Sequence, residues 1–165
     1  MKLRVRRDHV PYDVWAAEGC LKTTEGNVIH YGFIEQFIDE LGTKFHIKEI
    51  AFDRWGAVQM VQNLEGMGFT VVPFGQGYKD MSPPTKELMR LVLERHVNHG
   101  GHPVLRWNMD NAFVRTDPAG NLKIDKQKST EKVDGAVALV MALDRAMKNQ
   151  NSGGSVYDER GLLLL

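Results

Sequence analysis

Lys48-Glu49-Ile50-Ala51-Phe52-Asp53-Arg54-Trp55 is an apolar run that ends abruptly on an acid, an arginine and a tryptophan. Upstream, Phe45 and Ile47 alternate with His46 and Lys48 before the continuous Ile50-Ala51-Phe52, the pattern of a strand buried on both faces. Downstream, Ala57, Met60, Val61, Leu64 and Met67 recur at helical spacing up to Gly68, and Phe69-Thr70-Val71-Val72-Pro73-Phe74 reads as a second strand. Strand, helix, strand is a βαβ unit, whose strands run parallel through a right-handed crossover. The fold class is therefore α/β. In open sheets of this class ligands sit beyond the carboxyl ends of the strands, which is where Asp53 falls. Aspartate is also a favoured N-cap, and spacing alone leaves both roles open for Asp53.

Working outward, Pro11 opens a short helix through Tyr12, Val14, Trp15 and Ala16, and Phe33, Ile34, Phe37, Ile38 and Leu41 form the core-facing stripe of another, closed by Gly42. Ser82-Pro83-Pro84 supplies an N-cap and a proline start for a helix with Leu88, Leu91 and Val92 inward. Pro103 to Asn111 is apolar but of open type, and Ala112–Thr116 and Leu122–Ile124 flank a turn-rich loop as a hairpin. The last helix, about Glu131 to Asn149, buries Val133, Ala136, Val137, Val140 and Met141 and carries Asp134 in its first turn. There the acid either interacts with the helix dipole, worth about 0.3–1 kcal/mol, or points at a cation.

Lys123, Lys126, Lys128 and Lys132 form the densest basic patch, suited to a DNA backbone groove but equally to a solvated loop. Gly75-Gln76-Gly77 lacks the remaining residues of a phosphate loop and reads as a turn. His96, His99 and His102 are spaced by three, yet Gly100-Gly101 interrupts the helix that would align them on a metal. From residue 150 the chain turns into an Asn-Ser-Gly linker and a leucine-rich end, giving a domain over residues 1–149 and a linker with an apolar tail over 150–165.

The 165 residues suit one domain, 42% of them hydrophobic and 25% charged. Twenty-one basic residues balance 21 acidic ones, so only local clustering can speak for a nucleic-acid partner. A single cysteine, Cys20, excludes an internal disulfide and a cysteine zinc cage. The longest apolar run falls short of the roughly 20 residues a membrane span needs. A soluble, intracellular protein is expected.

Six ordered blocks carry a resemblance: Asn27-Val28-Ile29; Ala51-Phe52-Asp53-Arg54-Trp55; Val72-Pro73-Phe74-Gly75-Gln76-Gly77; Met81 to Leu88; Pro103-Val104-Leu105-Arg106-Trp107; and Lys128 to Gly135. Together they resemble the C-terminal nuclease domain of the large terminase subunit of tailed bacteriophages, and Val156 to Leu162 is similar to the end of that family's chains. The resemblance implies an RNase H-like fold, with a mixed sheet flanked by helices. It also implies an endonuclease dependent on Mg2+ or Mn2+ that cuts concatemeric viral DNA during packaging in the bacterial host cytoplasm. By position, Asp53 and Asp134 match the family's catalytic, metal-binding acids; Arg54, next to Asp53, and the four lysines of the basic patch are the candidate DNA contacts. Double-stranded DNA is the implied partner, alongside the terminase small subunit and the portal.

Two departures from the family pattern accompany it. No Walker-type motif is present, so the ATPase motor is missing from this sequence. The family's first strands, with a first metal-binding aspartate, also lack a matching segment. The expectation is an N-terminally truncated, incomplete site, weak or inactive alone, with the missing strand lost, split off or supplied by another chain. A non-catalytic module binding DNA or a packaging partner is the rival reading, and a histidine metal protein ranks last.

Overall fold

The computed structural model describes residues 2–26, 30–53 and 58–150. Its elements in chain order are α1 (Lys2–Asp8), α2 (Tyr12–Ala17), α3 (Tyr31–Lys44), β1 (Ile50–Asp53), α4 (Val58–Gly66), β2 (Val71–Phe74), α5 (Tyr78–Leu93), α6 (Pro103–Asp110), β3 (Val114–Thr116), β4 (Leu122–Ile124) and α7 (Asp134–Gln150). The βαβ unit is present as expected. β1 and β2 pair in parallel, with Ile50 opposite Val71 and Asp53 opposite Phe74.

The expected mixed sheet is replaced, among the described residues, by two separate two-stranded sheets: the parallel β1–β2 pair and the antiparallel β3–β4 hairpin. The hairpin is tied to α5 instead. The buried Ser82 hydroxyl accepts the Leu122 N–H at 3.1 Å, which turns the residue read as an N-cap into a bracket between elements. Tyr78 is the first residue of α5, capped by Gly77, so Pro83 and Pro84 lie inside the helix. Interior prolines remove backbone donors. Here they fall in the early turns, and Pro84 recovers part of that cost by being fully buried.

α7 provides the floor of the molecule. Ala136, Val137, Val140 and Met141 pack with Val133, Phe74, Met81, Leu88 and Ile124 into one buried cluster, against which Ala51 of β1 also rests. α6 buttresses the start of α7 through Asn108, whose side chain is buried. Its Oδ1 accepts the Gly135 N–H at 2.8 Å, while its Nδ2 donates to the Val104 carbonyl at 2.9 Å. This satisfies one of the donors that a helix N-terminus leaves unpaired.

Two expectations about burial are corrected. β1 is only four residues long and half-buried throughout, and Phe45, read as part of the same strand, lies before it and is 64% exposed. On α3 the apolar stripe is only partly covered: Phe33 and Ile34 face solvent, and the buried residue is Glu35, which accepts from Asn63 Nδ2 of α4 at 2.9 Å. Gly42 does not close α3, which runs on to Lys44. A Cβ at that position would stand 2.9 Å from the Phe69 ring, so the glycine permits close approach and not termination.

Candidate active site

Asp53 is the last residue of β1 and is half-buried. Side chains alternate along a strand, so Asp53 projects from the same face as Ala51. That face is the one packed against the cluster built on α7. Directly beside Asp53 is its register partner Phe74, which shares the same buried cluster with Val133. Asp134 follows Val133 and is the first residue of α7. The Gly135 amide, held by Asn108, fixes the backbone at that point.

The relative direction of β1 and α7 is set at their other ends. Glu49, just before β1, receives the Arg145 Nε–H at 2.6 Å, with both side chains about four-fifths buried at 19% and 20% exposure. From Arg145 back to Asp134 the helix rises about 16 Å. From Glu49 to Asp53 the strand advances about 13 Å. With Glu49 on Arg145 at one end, and Phe74, the register partner of Asp53, in one buried cluster with Val133 at the other, the start of α7 lies toward the carboxyl end of β1. Gln76, just past β2, and Val137, in the early turns of α7, line one pocket at this end, which is independent support for that direction.

Asp134 is 73% exposed, and its carboxylate lies 3.1 Å from the Lys126 ammonium. Among the described residues no three histidine, cysteine or acidic side chains gather closely enough to enclose a metal ion. Asp125, the nearest acid in sequence to Lys126, is buried and otherwise engaged. Its Oδ1 accepts the N–H groups of Gln127 and Lys128 at 3.0 and 3.3 Å, and Oδ2 faces Arg115 at 3.4 Å. Burial alone would push this carboxyl up; those donors outweigh it and hold it below the usual carboxylate range.

The endonuclease domain model of the terminase large subunit matches residues 2–150. The chain belongs to the terminase large-subunit nuclease family. It is 40% identical over 158 residues to the terminase large subunit of Enterobacteria phage HK97, a match that covers 94% of the chain and 31% of that protein. Protein YmfN of Escherichia coli K12 is 31% identical over 144 residues, covering 86% of the chain and 32% of its own length. The crystal structure of the HK97 bacteriophage large terminase superposes with a TM-score of 0.81 at 42% identity, covering 87% of this chain and 30% of that one. The chain thus spans about a third of the relatives it matches.

Within this terminase nuclease domain the expected DNA-contact residues divide by place. Lys123 is half-buried with its ammonium 5.0 Å from the Tyr78 ring centroid, Lys126 reaches Asp134, and Lys128 lies over Phe113 at 5.4 Å. Lys132 is exposed just before α7. Arg54 and the 151–165 tail lie outside the described residues. The three histidines flank a loop: His102 Nδ1 accepts the Leu105 N–H at 3.4 Å as the cap of α6, and His96 Nδ1 stands 3.3 Å from Glu94. Sequence reasoning did not single out Glu49, Arg145 or Asn108. Their partners lie far along the chain, and no local pattern marks them. No helix among the described residues is long and apolar enough to cross a membrane.

Proposed function

We propose that the chain is a divalent-metal-dependent endonuclease domain of a phage packaging terminase, part of an RNase H-like fold, that cleaves concatemeric viral DNA. What supports this reading is the place of the two acids in the fold: Asp53 ends a strand of a parallel pair, where ligands sit in this class, and Asp134 opens the helix that packs on that strand. Two carboxylates from different elements fit a hard ion such as Mg2+ or Mn2+, which accepts one or two protein carboxylates and keeps water in its other positions. Such ions, when bound, supply an activated water and neutralise charge at the leaving oxygen.

The chain's own contribution is positioning. β1 holds Asp53 through its pairing with β2, and Asn108 fixes the backbone from which Asp134 projects. Lys126 balances the Asp134 charge, while Lys123, Lys128, Lys132 and Arg54 are proposed to grip backbone phosphates. Two acids do not surround two ions, so further oxygen ligands from outside the described residues complete the site, and the chain alone is weakly active. One edge of β1 faces no strand among the described residues, and a strand added there would bring a ligand beside Asp53. The setting is the bacterial host cytoplasm, with the small subunit and portal as partners.

Nicking of supercoiled plasmid in Mg2+ or Mn2+ tests this. Weak cleavage that Asp53→Asn and Asp134→Asn each abolish supports the reading; cleavage indifferent to both refutes it. The Lys126–Asp134 ion pair gives a second reading some weight, that of a non-catalytic module binding DNA or a packaging partner. DNA binding that survives chelation and Asp53→Ala, with no cleavage under any ion, would favour that module.

A further inference from the structure

Beyond Asp134, on the hairpin side of the same edge, lies a pocket of about 310 Å3 to which Gln76, Arg115, Lys123, Asp125, Lys126 and Gln127 contribute. Three cations and two carboxamides meet one acid there. That acid is committed, since Asp125 spends one oxygen on two backbone amides and meets Arg115 only at the long distance of 3.4 Å. The Asp125 loop is further stiffened by the Ser129 hydroxyl, which donates to the Asp125 carbonyl at 2.7 Å and accepts the Phe113 N–H at 3.2 Å. Arg115 keeps most of its five donors unspent and is 54% exposed. Lys123 is steadied by the Tyr78 ring. A concave, rigid, cationic surface with a guanidinium fork matches the tetrahedral oxygens of a phosphodiester.

We propose that this pocket is a cradle for one backbone phosphate of the DNA strand that passes Asp53 and Asp134, with Arg115, Lys123 and Lys126 as its charged contacts. Lys126 borders both the pocket and Asp134, so a phosphate seated here places the strand's neighbouring linkage beside the acids. The cradle separates the basic residues into classes. Lys128 and Lys132 line no part of it and contribute less.

The inference rests on DNA as the substrate, and its test avoids cleavage. Binding of a fluorescein-labelled duplex to the whole chain is followed by anisotropy in EDTA at several KCl concentrations. Arg115→Gln and Lys123→Gln should each weaken binding several-fold for any sequence and lower the log–log salt slope by about one. Lys44→Gln, which removes an equal charge from the far end of α3, should leave the slope unchanged. Lys123→Gln breaks no ion pair, so it remains informative if Arg115→Gln unfolds, which thermal melting would reveal. A slope unaffected by either cradle substitution, an equal drop with Lys44→Gln, or no binding by the wild-type chain overturns the cradle. Failure of the nuclease reading would look different: chelated binding and its cradle dependence persist, while no Asp53-dependent cleavage is found.

Discussion

Arg145 donates its Nε–H to Glu49 at 2.6 Å across 96 residues of chain, and this pair fixes how β1 lies on α7. Asn149 adds a hydrogen bond to the same carboxylate, and the buried Asp144, which precedes Arg145, meets it at 3.6 Å and Lys148 at 2.7 Å. The network is placed at the opposite end of the helix from Asp134 and ties the start of β1 to the end of α7.

Arg145→Met should therefore lower the melting temperature, with a pH signature. The hydrogen bond from Arg145 holds the Glu49 carboxyl below its ordinary value of 4.5, against a smaller opposing effect of burial. A depressed folded-state pKa contributes stability that is present above the unfolded value and is lost as pH falls through the folded one. The gap in melting temperature between wild type and Arg145→Met should be constant above about pH 5 and shrink below 4.5. A gap that widens in acid would count against the assignment.

Asn108→Ala should destabilise the fold by about 1–3 kcal/mol, because it leaves the Gly135 amide without its acceptor and empties a buried position. Asn108→Asp keeps an acceptor and should recover part of the loss. Gly135→Ala is predicted to mimic the defect, since a Cβ there would stand 3.2 Å from Asn108 Oδ1. Urea melts check all three, with the midpoint moving and the slope unchanged.

Lys126→Gln removes the ammonium that occupies the Asp134 carboxylate. Exposed pairs are weak, so the chain should stay folded with its melting temperature within a degree or two, while Mn2+ affinity rises a few-fold. Unchanged or weaker Mn2+ binding would mean that the pair does not compete with a cation.

Ser82→Ala should speed hydrogen exchange at the Leu122 amide while leaving the amides of β1 and β2 protected, because the bracket it breaks joins only α5 and the hairpin. Equal acceleration in both sheets would show that the hairpin is coupled to the parallel pair in a way the separate pairing does not suggest.

The βαβ unit, the hairpin and the buried face of α7 were legible because each has a local signal: short apolar runs for β1 and β2, turn residues for the hairpin and a 3.6-residue period for the helices. Asp53 and Asp134 were legible as positions, the end of one apolar run and the start of another. How β1 lies on α7 was not, because it depends on the Glu49–Arg145 pair and on the buried cluster that Phe74 shares with Val133, which only the tertiary fold forms. Pro83-Pro84 misled the reading of α5 for a related reason. Prolines usually start helices, and only the burial of Met81, Ser82 and Pro84 against the rest of the core makes an earlier start favourable. Phe33 and Ile34 show the converse: a helical stripe marks what could be buried, while the surface available to cover it lies elsewhere.

Titration of Mn2+ into the wild-type chain, Asp53→Asn, Asp134→Asn and the double variant, read by the EPR signal of the free ion, tests the shared site most directly. If one ion bridges both acids, each single substitution should weaken binding at least about tenfold, and the double variant should be little worse than either single one. Wild-type affinity in Asp134→Asn, or losses in the two single variants that simply add, would contradict a common site.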